Sequence, residues 1–448
     1  MTSETVENGT SGKTPNNLGR DGFILLIGLA ICTASILIGT QSIDLLILTL
    51  ILFPIIFAFL FGLVANLGLK FVDKTEQTSQ LSAELVRILV ILLIIKYGLL
   101  IGTQIEDLFG YGPALIFQEL GNLGTVFFGM PFALLALRMR REAIGATFSI
   151  GREPNIAIIA DRYGISSREG LGVLGVYIMG SLIGSVFFSV FPTLISQLGW
   201  FSLEALSMAC GVGSASMTAA CSSALTIQHP EQAESVNFLA GASNLFSNFL
   251  GFYVCILLAI PLSEFLYRKL SPLTKSKATS AAETTLPSDR TGADAEGVLP
   301  VRSFSWVSTL TLLLASTLLC VASEFLYGGR DVNQISVTAT ALFLVGGASL
   351  LLKIWFPRFD AIVGASILSI IFSLCLKPTG FSADLDGISI LAIATPVLAF
   401  SGLALTRSDF VQVRSVGYKL AIVSIIVFSG TYVLSAVIAN TIIGFTAQ

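Results

Sequence analysis

Residues 85–105 read LVRILVILLIIKYGLLIGTQI, an apolar run that contains only two charged side chains, Arg87 and Lys96. A helix that crosses the hydrocarbon core of a bilayer needs about 20 consecutive, mostly apolar residues, and this segment has that length and composition. Its apolar residues follow one another instead of alternating with polar ones, as they would in a half-buried strand. The segment therefore predicts a transmembrane helix.

The composition extends this prediction to the whole chain. Of the 448 residues, 54% are apolar and 12% are charged, against about 45–50% and about 25% in soluble domains. The mean hydropathy is +0.85. With 25 Lys and Arg against 28 Asp and Glu, the chain has no basic surplus of the kind that binds nucleic acid. We predict an all-α polytopic protein of the cell (inner) membrane, whose partner is the lipid bilayer and not a nucleic acid.

Eleven segments are apolar and long enough for a span, and they divide into two membrane halves at 22–270 and 304–448. The stretch between the halves, 271–303, is rich in Ser, Thr, Ala and Pro and predicts a flexible cytosolic linker. Residues 1–21 predict a disordered cytosolic tail. The predicted spans are Phe23–Thr40, Leu45–Leu69, Leu85–Ile105, Pro113–Leu137, Leu171–Leu194, Asn237–Tyr267, Phe304–Leu326, Ile335–Phe356, Ala361–Leu376, Ile388–Leu405 and Leu420–Ile442.

Two further stretches, 143–164 and 205–225, are interrupted by glycine, proline or polar residues and do not fit an ordinary span. Lys and Arg near helix ends stay on the cytoplasmic side of a membrane. Nearly all of them fall on that side if the amino terminus is cytosolic and each interrupted stretch enters and leaves on one face. This assignment predicts two re-entrant hairpins, one from each face, and places Glu106 and the carboxyl terminus outside.

The chain contains a weak internal repeat. The segment Tyr97–Asp107 resembles Phe400–Asp409, and the hairpin segment 149–155 resembles 211–217. The charge assignment gives the two copies opposite orientations, which predicts inverted repeats. Because the second hairpin precedes its matching helices, a circularly permuted second copy is one form that this repeat can take.

The first hairpin has the sequence FSIGREPNIAIIADRYG at 148–164. Charged side chains at membrane depth are costly unless they are paired or face water, so they indicate a cavity or a path for a solute. A helix broken by glycine and proline exposes backbone groups that a substrate or an ion can satisfy. The alternative is a cytoplasmic loop in which the arginine pairs with a neighbouring carboxylate. The candidate binding residues are Gly151, Arg152, Glu153 and Asn155.

The second hairpin, ACGVGSASMTAACSSAL at 209–225, consists almost entirely of small residues. Such residues allow a ligand to approach the backbone, and hydroxyls and freed carbonyls coordinate cations or carboxylates. The alternative is close helix packing through small residues. The next helix carries Asn237, Asn244 and Asn248 on one face, which lines the site or hydrogen-bonds a neighbouring helix. The candidates here are Gly211, Gly213, Ser214, Ser216, Thr218 and Asn244.

Lys96 lies near the centre of its predicted span, and Glu119 lies in the outer half of the next helix. The two side chains are expected to pair across this helical hairpin, either as a structural clamp or as part of a coupling relay. The acids Glu264, Glu324 and Asp360 lie close to helix ends, and we expect them to be solvated.

The six cysteines lie in apolar segments without CxxC spacing, which predicts free thiols and neither a disulfide nor a zinc site. His229 is the only histidine, which removes histidine-pair metal sites. A hydrolase using Ser214 or Ser216 with His229 is a disfavoured alternative, because His229 is expected at the outer surface. The sequence thus predicts no enzyme, no metal site and no cofactor other than a coupling Na⁺ or H⁺.

The segments GREPNIAIIADRYG and ACGVGSASMTAACSSAL, with their surrounding helices, resemble a prokaryotic multi-pass membrane family catalogued as a domain of unknown function. More distantly, inverted repeats with glycine-rich broken hairpins resemble sodium-coupled glutamate and 2-hydroxycarboxylate transporters. That resemblance implies secondary transport, in which a domain that bears the hairpins moves against a scaffold. It also implies that carboxylate substrates bind at the hairpin tips.

These observations predict a secondary active transporter of a small carboxylate or amino-acid-like solute, coupled to Na⁺ or H⁺ and working by alternating access. The chain has no GxxxxGK[ST] motif of an ATP-driven motor. The rival hypothesis is a channel-like or scaffolding membrane protein, in which the hairpins are packing features. Assembly as a homo-oligomer is left open.

Overall fold

The computed structural model describes residues 18–45, 48–69, 75–150, 153–164, 167–274, 306–328, 330–356, 361–379, 385–405 and 407–446. The described chain is almost entirely helical, which confirms the predicted all-α class. The helices are α1 Leu18–Ile38, α2 Pro54–Leu69, α3 Thr75–Thr103, α4 Ile105–Phe117, α5 Gly124–Pro131, α6 Glu142–Thr147, α7 Glu153–Tyr163, α8 Arg168–Met179, α9 Ser185–Gln197, α10 Leu203–Cys210, α11 Ala215–Gln228, α12 Ala233–Val254, α13 Ile260–Thr274, α14 Trp306–Tyr327, α15 Val332–Trp355, α16 Ala361–Leu376, α17 Ile390–Ala404 and α18 Arg407–Thr446. Helix α18 is kinked at Gly417, whose backbone is not helical.

Seven helical stretches of the described chain are long and apolar enough to cross a membrane. These stretches are Asp21–Ile38, Thr78–Thr103, Leu108–Ala136, Arg168–Gln197, Val307–Tyr327, Val332–Trp355 and Gly417–Phe445. Shorter apolar helices cover Pro54–Gly68, Ala361–Leu376 and Ile390–Ala404. The remaining predicted span, Asn237–Tyr267, falls on α12 and α13. The helices identify a multi-pass membrane protein by their length and composition.

The predicted span Leu45–Leu69 is only partly helical. Strand β1 (Gln41–Leu45) pairs antiparallel with β2 (Leu48–Leu52), and α2 begins after them at Pro54. The β-branched residues Ile43, Thr49 and Ile51 suit the extended backbone of a strand. Pro54 suits the first position of a helix, where its missing N–H has no helical partner to lose. This apolar run therefore contains a strand followed by a helix and is not one helical span.

The boundaries of the predicted tail and linker also shift. Helix α1 begins at Leu18, so residues 18–21 of the predicted tail are helical, and α13 continues to Thr274, inside the predicted linker. The rest of both predictions falls on residues 1–17 and 275–303, which lie outside the described residues.

The helices pack into two units that interleave along the chain. The first unit contains α1–α3 and α14–α17 around one apolar core, and the second contains α5–α13 and α18 around another. A third, smaller core joins α3 of the first unit to α4 and to α10, α12 and α18. These units do not coincide with the predicted halves, because α1–α3 pack with helices of the second half and α18 packs with the first. Helix α11 joins the units, since its Ala220 belongs to the first core and its Cys221 to the second.

Three helices of the second unit contain a five-residue π-helical turn, at Phe132–Ala136, Gly180–Gly184 and Cys255–Ala259. Well under 1% of residues in globular proteins are π-helical, and such turns are frequent at functional sites. A 3₁₀ segment, Gln118–Leu123, separates α4 from α5. These irregular turns lie in the same unit as both hairpins.

Candidate functional site

The second hairpin is a helix, a break and a second helix, as its sequence predicts. Helix α10 ends at Cys210, and Ser214 caps α11 by accepting a hydrogen bond from the Met217 N–H at 3.4 Å. The break lies against α12, because a Cβ atom on Gly211 would clash with the side chain of Ser243. Only glycine allows this approach without displacing α12.

Asn244 of α12 organises the break. Its Nδ2 donates towards the carbonyl oxygens of Gly211 and Gly213, at 3.2 and 3.1 Å, and towards Oγ1 of Thr218 at 2.9 Å. The Thr218 hydroxyl donates in turn to the carbonyl of Cys210 at 3.0 Å. Asn244 is 1% exposed. The structure therefore brings together four of the predicted site residues, and of the asparagine face of α12 it is Asn244 whose described hydrogen bonds reach the hairpin.

Ser214 and Ser216 lie beside each other at the start of α11, directly after the break. Their hydroxyl oxygens are 3.1 Å apart, and both residues are half-buried. His229 instead has its Nε2 3.0 Å from the hydroxyl of Ser196. The arrangement of a serine hydrolase, with His229 bonded to Ser214 or Ser216, is therefore not formed.

Glu119 is a buried carboxylate in the 3₁₀ segment and is 1% exposed. Its Oε1 accepts hydrogen bonds from the Gln118 amide at 2.5 Å and from the Ser247 hydroxyl, and its Oε2 accepts from the Asn122 amide at 2.9 Å. The described contacts thus place three hydrogen-bond donors around this carboxylate.

Ser243 connects Glu119 with the break. The Gln118 amide, which binds Glu119, also donates to the Ser243 hydroxyl at 2.8 Å. Ser243 touches Gly211 and precedes Asn244, which holds the carbonyls of the break. Hydrogen-bonded side chains therefore run from the Glu119 carboxylate to Ser243, and Ser243 packs against the break of the second hairpin.

Small residues bring this network next to α18. A Cβ atom on Gly124 would lie 2.7 Å from the carbonyl carbon of Gly430, and Gly121 meets Ser435 in the same way. Close backbone approach of this kind is typical of helix packing in membranes. Thr431 of α18 then donates to the amide oxygen of Asn122 at 3.3 Å, which ties α18 to the Glu119 network.

The predicted pair of Lys96 and Glu119 is wrong. Lys96, 1% exposed, donates to Oδ1 of Asp386 at 2.8 Å and to the carbonyl of Leu385 at 3.0 Å. Both partners lie in the loop before α17. The two side chains point to different units, because Lys96 faces this loop whereas Glu119 faces α12.

Asp386 and its neighbours form a charged cluster that the sequence did not predict. The Arg330 guanidinium binds the Asp386 carboxylate, and it lies 3.9 Å from Glu324. Glu324 is 2% exposed and accepts hydrogen bonds from the Ser389 N–H and hydroxyl at 2.8 and 2.7 Å. The expectation that Glu324 is solvated is therefore wrong, because this acid caps the start of α17.

The expectation of solvated acids near helix ends also concerns Glu264 and Asp360. Glu264 is only partly exposed and accepts a hydrogen bond from Arg141 at 2.9 Å, so it belongs to an ion pair at the second unit. Asp360 lies outside the described residues.

Burial would raise the pKa of the Asp386 carboxyl, but the Lys96 and Arg330 cations outweigh burial and hold that pKa below its usual range. Asp386 is therefore ionised at neutral pH and carries a full negative charge between two cations.

The first hairpin also consists of two helices, α6 and α7. The Asn155 amide donates to the hydroxyl of Ser149, which precedes the interruption. Gly151 and Arg152 lie outside the described residues, and Glu153 begins α7 with a side chain that is also outside them. Among the first-hairpin candidates, the described contacts therefore concern Asn155.

The two hairpins approach each other at the π-helical turn Gly180–Gly184. A Cβ atom on Gly180 would lie 3.2 Å from Cε of Met217 in the second hairpin and 3.8 Å from the carbonyl oxygen of Ile150 in the first. The Met217 methyl also contacts Gly184. Both hairpins therefore meet this turn at nearly the same point.

Cys210 and Cys221 form a disulfide with a Cα–Cα distance of 5.5 Å, so the prediction of free thiols is wrong for this pair. Their separation of 11 residues gives no motif, but the break turns α11 back against α10 and brings the two side chains together. The other four cysteines are free thiols. In the part of the chain that the structure describes, no cluster of three His, Cys, Asp or Glu side chains could hold a metal ion.

Together, the apolar helices, the two broken hairpins and the buried polar network define a polytopic membrane protein with an internal polar site. The chain belongs to the family described as "Protein of unknown function (DUF3100)", whose sequence model matches residues 33–269. The match covers both hairpins and the Glu119 network, and it confirms the resemblance to a family of unknown function. No curated protein and no solved structure matches the chain.

Proposed function

We propose that this protein is a secondary active transporter of the cell (inner) membrane that moves a small carboxylate or amino-acid-like solute with Na⁺ or H⁺. One observation carries the proposal: a buried carboxylate, Glu119, lies near a helix break within a multi-pass membrane protein, and hydrogen-bonding side chains link it to Ser243, which packs against that break.

The cost of burying charge supports a coupling role for Glu119. An ionisable side chain within the membrane is expensive, so such residues mark ion pathways and proton relays. The donors of Gln118, Asn122 and Ser247 hold the Glu119 carboxylate in one position, from which its oxygens can bind a proton or a sodium ion. Glu119 is accordingly our candidate for the coupling residue. Lys96 is no longer a candidate, because it pairs with Asp386.

The helix break supports a solute site in the second hairpin. Discontinuous helices present freed carbonyls to cations and helix N-termini to anions. The Ser214 and Ser216 hydroxyls and the start of α11 lie at the break, while Asn244 fixes its carbonyls. Arg152 of the first hairpin is proposed from the sequence alone as the partner of a substrate carboxylate, because arginine binds carboxylates through two parallel hydrogen bonds.

Alternating access would require the two packing units to move relative to each other. The second unit carries both hairpins, and α11 lies across the boundary with the first unit. Opposite orientation of the two hairpins, as the charge pattern suggests, would give each membrane face one hairpin. We propose that the second unit moves against the first, and that this motion opens the break to one side at a time.

Flux measurements on the purified protein in liposomes test the proposal. Uptake of radiolabelled organic acids and amino acids should be saturable with an imposed Na⁺ or pH gradient, and it should stop when an ionophore collapses that gradient. Flux that persists without a gradient would indicate a channel. The absence of flux in every mixture would favour a scaffold, in which Asn244 and Met217 serve only to pack the hairpin.

A further inference from the structure

A cavity of about 430 Å³ opens where the two packing units meet, between α3, α12 and the loops before α15 and α17. Its volume lies in the range of small-molecule sites, roughly 300–1,000 Å³. The polar residues of its lining are Thr103, Gln104, Glu234, Arg330, Gln334 and Asp386. The charge pattern predicts the outer face for this end of α3.

The charges around the cavity favour a cationic group. Among the described residues that line it or bind its lining, the carboxylates of Glu234, Asp386 and Glu324 oppose the cations of Arg330 and Lys96. Asp386 and Glu324 both lie against these cations. Glu234 lies at the exposed rim of the cavity and accepts a hydrogen bond from the neutral amide of Gln104 at 2.5 Å. The excess negative charge therefore lies at Glu234.

We infer that this cavity binds a small organic solute through an ammonium group placed at Glu234. The Leu99, Leu100 and Leu385 side chains provide an apolar wall for an aliphatic body. Burial of such a body favours binding in proportion to its apolar area. Only the transport of the bound solute rests on the proposed function. The inference restricts the proposed substrates to those that carry an amine.

The cavity and the second hairpin both contact α3. The Tyr97 hydroxyl of α3 is 3.0 Å from the hydroxyl of Ser222 in α11. Leu99, on the cavity wall, is two residues further along α3, which corresponds to roughly 3 Å of helix rise and about 200° of rotation around the helix axis. A solute bound at Glu234 would therefore lie at a depth similar to that of the Ser222 contact but on another side of α3.

Thermal unfolding of the full chain in detergent tests the inference with three probes of similar shape. L-leucine and isopentylamine carry an ammonium group, whereas isocaproate carries only a carboxylate. A ligand that binds the folded state raises its apparent stability. We expect both amines to raise the apparent Tm by about 1–2 °C at a concentration of ten times Kd, and isocaproate to leave the Tm unchanged.

The variant Glu234→Gln should abolish the shift with both amines, because it removes the charge and keeps a group that can bond to Gln104. Glu106→Gln is the matched control, since Glu106 is an exposed acid at the same end of α3, paired with Lys377. Unfolding without ligand shows whether each variant is folded. A shift with isocaproate equal to that with isopentylamine, no shift with either amine, or a full shift in Glu234→Gln would overturn the inference. Binding without flux would leave it standing and reject only the transporter proposal.

Discussion

Asn244 illustrates at the scale of one residue how the hairpin is held. A buried backbone carbonyl without a partner costs about 1–3 kcal/mol, and the Asn244 amide donates towards two such carbonyls and a hydroxyl. Its place on the polar face of α12 was predicted from spacing. Its partners were not, because the contact joins segments that are 31 and 33 residues apart in the sequence.

Replacement of this side chain should destabilise the protein. Asn244→Ala is expected to lower the free energy of unfolding by about 2–4 kcal/mol, because it leaves buried carbonyls unsatisfied and opens a small cavity. Asn333→Ala, at an exposed position at the start of α15, should change it by less than about 0.5 kcal/mol. Thermal unfolding of both variants measures the difference. Equal effects would mean that Asn244 does not hold the break.

The ion pairs of Asp386 predict how the stability of the fold depends on pH. Its pKa is lowered in the folded protein by Lys96 and Arg330, which outweigh burial. Its ion pairs therefore stabilise the fold above the pKa of an unfolded Asp, about 3.9, and this stabilisation is lost as the pH falls through the lower folded pKa. Asp386→Asn should be less stable than the wild type at pH 7, and the difference in Tm should shrink towards pH 3. A difference that is independent of pH would contradict this account.

Sequence reasoning failed for Lys96 because its partner is distant. Asp386 is 290 residues away in a loop, and no local pattern relates the two. The sequence predicts Glu119 in the outer half of its helix and paired with Lys96, and the pairing is wrong because the sequence does not reveal which way each helix face turns. A lysine at the centre of a span signals that a carboxylate must lie close to it, and that signal alone would have justified a search among the acids of all loops.

At the scale of elements, the length of each apolar segment was the property that predicted the helices. It placed helices on all the predicted spans, and the glycines and polar residues correctly marked two interrupted helices. It failed at 45–52, because a short apolar run is equally compatible with a buried strand and with part of a helix. The irregular 3₁₀ and π-helical turns had no signature in the sequence, since their residues pack against other helices that the sequence alone does not identify.

The contact of α5 with α18 gives a prediction at this scale. A Cβ atom on Gly124 would overlap the backbone of Gly430, whereas one on Gly112 of α4 would meet no atom within 4 Å. Gly124→Ala should therefore destabilise the protein by about 1–3 kcal/mol. Gly112→Ala should be neutral or slightly stabilising, because alanine favours helices. Thermal unfolding compares them, and equal stability of the two variants would exclude close packing at Gly124.

At the scale of the whole molecule, the two units show why a division by sequence halves is insufficient. The central linker separates spans in the chain, but apolar faces pair across it, so α3 packs in one core with α16 and α17. Sequence position therefore does not reveal which helices move together. Membrane orientation is a separate property, and it is predicted from the distribution of Lys and Arg.

Single-cysteine labelling tests that orientation. Cysteines replacing Glu106 and Arg140 should lie on opposite faces, since Glu106 is predicted outside and the arginine cluster inside. In a Cys375→Ser background, which removes the exposed native thiol, an impermeant maleimide should label Glu106→Cys in intact cells. It should label Arg140→Cys only after permeabilisation. Labelling of both in intact cells would contradict the predicted topology, and the reverse pattern would invert it.

The central claim is that the Glu119 carboxylate couples cation entry to solute movement. The most direct measurement compares wild type, Glu119→Gln and Glu106→Gln in liposomes, using a radiolabelled mixture of amino acids and organic acids. Glu119→Gln keeps the size of the side chain and removes its charge. The account predicts that this variant still exchanges solute across the membrane but no longer accumulates it against a gradient, while Glu106→Gln behaves as the wild type. Accumulation by Glu119→Gln at the wild-type level would contradict the account.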